Sequence, residues 1–168
     1  MTGYQRVTSS VVIDAPIETV WEVVMDPDSF VEAIDWVHEV TREDGGEGLL
    51  EAGSVYVERA KPGLREGTYR WEVTESDPPH RAVHVHEGGE LEAHLAIELE
   101  AVDDDATRYT QVMDFRALPA FRPLGYVLER TVMKRQMRRD FDRMILPNYG
   151  ALAETRAQSS ARSPANEP

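Results

Sequence analysis

Six consecutive strand-like runs are followed by a single long helical stretch, and this order limits the possible folds more than any other feature of the chain. From Trp36 onward, runs of β-favouring residues are separated by Gly45-Gly46, Pro62-Gly63, Pro78-Pro79, Gly88-Gly89 and Asp103-Asp104-Asp105. Such punctuation describes an antiparallel meander, with strands predicted near 36–42, 53–60, 66–75, 81–87, 91–101 and 107–117. Leu91, Ala93, Leu95, Ile97 and Leu99 project to one side of their strand, and Glu92, His94, Glu98 and Glu100 to the other. The sheet is therefore apolar on one face and wet on the other. Its apolar face has to be covered. Only residues 124 to about 153 are long enough, with Met133, Met137, Phe141, Met144, Ile145 and Leu152 near 3.6-residue spacing. The sheet must curl round this helix, and a cavity remains wherever the two surfaces do not meet.

A strand from Val7 to Ile13 precedes the meander, followed by two short helices. Asp14-Ala15-Pro16 supplies a cap candidate and a first-turn proline for Ile17, Val20, Trp21 and Val24. Asp26-Pro27-Asp28-Ser29 repeats the signal for Phe30, Val31 and Ile34. The ends of these helices fall at the cavity's mouth. Pro147 predicts a kink or break late in the long helix. The small, polar, proline-containing end of the chain predicts a domain over 1–153 and a disordered tail over 154–168.

Charge and composition narrow the function classes. Thirty-one acidic against 18 basic residues give a net charge of −13, which opposes attraction to a nucleic-acid backbone. Acidic runs and only two lysines, Lys61 and Lys134, suit a salt-rich cytoplasm and a GC-rich genome alike. The absence of cysteine removes disulfides, thiolate metal sites and cysteine nucleophiles. No window approaches the roughly 20 apolar residues of a transmembrane helix, and the N-terminus lacks a signal-peptide stretch, so a cytoplasmic protein is expected. Residues 116–162 reverse the overall sign, with ten basic and four acidic side chains. That segment either packs on the chain's own acidic sheet or contacts an acidic partner or membrane surface.

Ala15-Pro16-Ile17-Glu18-Thr19-Val20-Trp21-Glu22-Val23-Val24-Met25-Asp26-Pro27-Asp28 resembles the opening helix pair of the START-like (SRPBCC) superfamily, in its polyketide cyclase/dehydrase-like branch. Tyr69-Arg70-Trp71-Glu72-Val73-Thr74-Glu75 leading into Pro78-Pro79, and the basic-apolar terminal helix, extend the likeness over roughly residues 6–153. The resemblance implies an α+β helix-grip fold: a curved antiparallel sheet of about seven strands wrapped round a long C-terminal helix. It also implies an apolar small-molecule ligand, since the family includes lipid carriers, quinone-binding proteins and aromatase/cyclases. Fold likeness alone does not establish chemistry.

The residues themselves exclude some chemistries and nominate others. Gly45-Gly46-Glu47-Gly48 lacks the lysine and spacing of a phosphate loop, and Ser9, Ser10 and Ser54 lie in no nucleophile elbow. His84 and His86, two apart on one strand, share a face. A two-residue Gly88-Gly89 turn pairs His86 with Leu91 and turns both histidines to the cavity. A three-residue loop pairs Val85 with Leu91 and turns both to water. With no third ligand evident, the pair points to a polar ligand group, and neither a metal nor a cofactor is expected. Tyr56, Tyr69, Trp71, Gln111, Met113 and Phe115 are candidate cavity walls or ordinary core, with Met133 and Met137 opposite them on the helix. Arg130 and Lys134 share that helical stripe; their heads either snorkel out or, for Arg130, reach a ligand carboxylate or enolate.

Three functions remain. The chain binds a hydrophobic small molecule (lipid, polyketide or quinone-like) without catalysis; or it is an aromatase/cyclase or dehydratase using His84, Tyr56 and Arg130; or the basic helix of residues 130–143 docks on a protein or an anionic membrane.

Overall fold

Strand pairing in a computed structural model, which describes residues 3–62, 66–88, 91–117 and 129–162, closes the predicted meander with its own first strand. The strands are β1 (Gln5–Ile13), β2 (Val37–Arg42), β3 (Val55–Ala60), β4 (Gly67–Asp77), β5 (Arg81–His86), β6 (Leu91–Asp103) and β7 (Ala106–Ala117). They form one antiparallel sheet in the order β1-β7-β6-β5-β4-β3-β2, so only β1 and β2 are edges. Bulges at Val37/Glu39, Val73/Glu75 and Ala101/Asp103 add local bends that curl the sheet. Each predicted strand is present to within about two residues at most ends, as expected of ends read from pattern alone.

Two short helices follow β1. In α1 (Ile17–Val24), Ile17, Val20, Trp21 and Val24 are buried at the predicted spacing. Asp14 does not cap it: Pro16 holds the cap position without a side-chain hydrogen bond. In α2 (Pro27–Ala33) the reading holds, because Asp26 Oδ1 accepts from the Asp28 amide at 3.1 Å with Pro27 in the first turn.

The C-terminal helix, α3 (129–162), runs through Glu129–Met133, Lys134–Asp140, Phe141–Ile145 and Leu146–Arg162 without a break. Of the kink or break expected at Pro147, the break is absent. Phe141–Ile145 forms a widened, π-type turn just before it, which accommodates the missing amide and the bulk of the ring. The tail expected from residue 154 is also corrected: the helix continues to Arg162, with Ala157 packed on the core and Arg156 paired to Asp26 at 3.3 Å. Residues 163–168 lie outside the described residues. The fold is the helix grip. The core lies between the sheet's inner face, α1, α2 and the later turns of α3, and includes Val7, Val20, Trp21, Phe115, Phe141 and Ile145. Among the described residues no helix is long and apolar enough to cross a membrane.

Candidate functional site

Alternation along three strands carries polar side chains into this apolar core. On β3, Tyr56 and Glu58 fall two residues apart and face inward with Ala60. His84 on β5 and Tyr109 and Gln111 on β7 do the same. With Tyr149 of α3 they line a small cavity of about 30 Å³, whose apolar wall includes Phe30, Leu95 and Ile97. That volume admits one or two water-sized groups.

The histidine question has a third answer. His86 pairs with Ala93 and His84 with Leu95, a register two residues looser than the Gly-Gly turn would set. A two-residue shift preserves the facing, so both histidines point inward. They do not converge, however. His86 Nδ1 donates to the Arg70 carbonyl at 2.8 Å, and its ring lies against Tyr69 and Trp71. Only His84 lines the cavity.

His84 is 1 % exposed, and its Nδ1 lies 2.8 Å from Tyr56 Oη. Burial holds its pKa down at about 4, so the ring is neutral at neutral pH. Its Nε2 is buried without a hydrogen-bonding partner among the described residues. A neutral ring offers there an N–H when Tyr56 donates to Nδ1, and a lone pair when Tyr56 accepts.

Glu58 is the reverse case. Burial raises its carboxyl to about 7, against the opposing effect of Trp71 Nε1, which donates to Oε2 at 3.1 Å. Burial also pushes Tyr56, Tyr109 and Tyr149 above the ordinary tyrosine value, and Glu58 adds to the shifts of Tyr56 and Tyr149. Tyr109 Oη donates to Gln111 Oε1 at 3.3 Å. The cavity thus holds a carboxyl that titrates near neutrality, a neutral imidazole and three protonated phenols. Such a set can donate to, accept from, or exchange a proton with an oxygen-bearing group.

Tyr56, His84 and Gln111, of the residues nominated from sequence, line this cavity. Trp71, His86, Met113 and Phe115 are buried on the same inner face but outside its lining, and Tyr69 is half-buried there. Met133 and Met137 are half-buried against the core, away from the cavity, whose helical wall is Tyr149 of the later turns. The side chain of Arg130 lies outside the described residues. Glu58, Tyr109 and Tyr149 were missed, although each had a signal. Glu58 shares the phase of Tyr56, Tyr109 that of Gln111, and Tyr149 continues the Phe141, Ile145 spacing.

The fold matches a known class. The chain belongs to the family described as polyketide cyclase/dehydrase and lipid transport, whose model matches residues 4–145, in the START-like, polyketide cyclase branch. No curated protein matches it in sequence. Among solved structures, a protein from Thermus thermophilus is similar with a TM-score of 0.73 at 17% identity, over 91% of this chain and 99% of that one. The Zhui aromatase/cyclase of Streptomyces sp. R1128 is similar with a TM-score of 0.65 at 14% identity, over 98% and 99%. A START superfamily protein from Mycobacterium smegmatis gives 0.65 at 14%, over 94% and 99%. At these identities the structures speak for the fold alone.

Proposed function

We propose that the protein binds an apolar small molecule between the sheet and α3 and seats one hydroxyl or carbonyl group of it in the cavity beside His84. The observation that carries this reading is the buried, unpartnered Nε2 of His84 in a residue lining that cavity. A buried polar atom left unpaired is costly, and an oxygen-bearing group from a ligand relieves the cost. The cavity of about 30 Å³ takes that group only. The apolar body of the ligand would extend along Trp71, Met113 and Phe115 toward the earlier turns of α3, where Lys134–Asp140 buries no residue. The family's description, which joins cyclase/dehydrase and lipid transport, supports an apolar ligand.

Native mass spectrometry of protein purified from its own host tests the reading. A retained mass present in the wild type and lost in His84→Phe, which fills the cavity, is the expected result. A bare mass in both, together with no uptake of added hydrophobic ligands, would overturn it.

A second reading is favoured by Glu58. A carboxyl titrating at about 7 beside a neutral imidazole is suited to move protons, as an aromatase/cyclase or dehydratase acting on a polyketide-like substrate requires. On that reading Glu58→Gln retains the ligand but abolishes loss of water from a polyketone, and the pH–rate inflection near 7 disappears with it. Unchanged turnover in Glu58→Gln would remove Glu58 from the proton transfer, and no turnover by the wild type would leave binding as the function.

A further inference from the structure

Two populations of arginine stand apart in this acidic protein. Each of the seven arginines on the strands, from Arg6 to Arg116, has a carboxylate within ion-pair range. On α3, Arg135, Arg138, Arg139 and Arg143 are exposed and form no salt bridge among the described residues. Helical geometry places these four on one outward arc, spread over about 12 Å of helix length. Val132, 54 % exposed, sits on the same side one turn earlier. Asp142 is the exposed acid of this arc, and the half-buried Asp140 feels Arg139. Four unneutralised cations remain in a chain with 31 acids.

We propose that the outer face of α3, through Arg135, Arg138, Arg139 and Arg143, docks the protein on an anionic lipid surface. The arginines of the strands neutralise part of the acidic charge, Asp114, Glu43, Glu92, Glu98 and Glu100 among the acids they pair with. Charges more than a Debye length away, about 10 Å at 0.1 M salt, are screened, so the charge local to the arc governs its contact with a surface. A convex helix face with one exposed valine and, among the described residues, no exposed aromatic anchor fits a continuous field of headgroups better than a shaped protein pocket. Docking rests on the ligand-binding reading only for its purpose, since an apolar ligand partitions into bilayers. Vesicle attachment is observable whether or not the cavity is filled.

Co-sedimentation of the full chain with phosphatidylcholine vesicles, with and without about one-third phosphatidylserine, tests the proposal. The wild type is expected to attach to the anionic vesicles and not to the neutral ones, and to be released as salt is raised. The quadruple variant Arg135→Gln, Arg138→Gln, Arg139→Gln, Arg143→Gln, with an unchanged circular dichroism spectrum, is expected to attach at least about tenfold less. Equal attachment of variant and wild type overturns the proposal. So does retention on polyglutamate with no attachment to anionic vesicles, which would assign the face to an acidic protein. Should the quadruple variant not fold, Arg135→Gln and Arg139→Gln singly must each lower attachment.

Discussion

The earlier and later turns of α3 belong to one helix yet differ in almost every physical respect. Residues 141–162 bury Phe141, Ile145, Leu146, Tyr149 and Ala153. Polar contacts add to this anchoring: Asn148 Nδ2 donates to the Ala33 carbonyl at 2.9 Å, Arg156 pairs with Asp26, and Glu154 accepts from the Asp14 amide at 3.3 Å. Lys134–Asp140, by contrast, buries no residue, leaves Met137 half-covered and presents unpaired arginines to solvent. One stretch anchors the grip and closes the polar cavity; the other lies over the sheet with little holding it. The difference teaches that one helix can be fixed at one end and remain low in local stability at the other, where, on the proposed reading, a ligand would enter.

The largest expected effect comes from deleting a side chain on each side of this divide. Phe141→Ala should cost about 3–5 kcal/mol, as removal of a buried phenylalanine does. Met137→Ala, half-exposed, should cost less than about 2 kcal/mol. Urea denaturation midpoints read both. Equal losses would break the comparison and mean that the earlier turns are packed as tightly as the later ones.

That divide was only partly legible in the sequence. The meander, the short helix pair and the apolar stripe all rest on periodicity, which sequence displays directly. The tightness of packing does not. Met137 and Phe141 occupy the same stripe, and nothing local says that one reaches the core and the other stops short. The reading therefore set Met133 and Met137 opposite the cavity walls, whereas the space found lies by Tyr149. Pro147 marked an irregular turn without a break: the rule for proline assumes a regular turn before it, and the widened turn at Phe141–Ile145 removes that assumption. Residues 154–162 looked polar enough for a tail, but Ala153, Ala157 and Arg156 continue the helix's contacts. The inward histidines depended on pairing register, a tertiary quantity that two turn readings left open. Glu58 was passed over because charged residues are seldom found inside, although its strand phase with Tyr56 pointed there.

The cavity anchored by the later turns has its own signature in pH, of intermediate size. Unfolding frees Glu58 to ionise near 4.5, while the folded carboxyl holds its proton up to about 7. Its contribution therefore makes the protein less stable as pH rises through that window. His84 acts oppositely: the unfolded ring protonates near 6.5 and the folded ring only near 4, so stability is lost as pH falls between them. Each slope integrates to at most roughly 3.5 kcal/mol. Between about 4.5 and 6.5 the two offset one another. Glu58→Gln should unmask a stability that rises with pH over 4–6.5, and His84→Leu one that falls over 4.5–7, each set by the group that remains. Denaturation at half-unit pH steps checks this, and parallel curves for all three proteins would show that neither group is buried as the cavity requires.

The smallest effect is the sharpest test of the two arginine populations on α3 itself. Arg156, among the anchored turns, meets Asp26 at 3.3 Å with both side chains partly covered. Exposed or half-covered pairs of this kind contribute about 0.2–1 kcal/mol. Arg156→Gln should therefore lower stability by a few tenths of a kcal/mol, and by less in high salt, as screening removes the same interaction. Arg135 has no carboxylate in ion-pair reach among the described residues, so Arg135→Gln should leave stability unchanged at low salt or raise it slightly by easing repulsion from Arg138 and Arg139. A loss in Arg135→Gln as large as that in Arg156→Gln would mean that the outer face of α3 is held by the fold after all, and the distinction between an anchored and an available half would fail there.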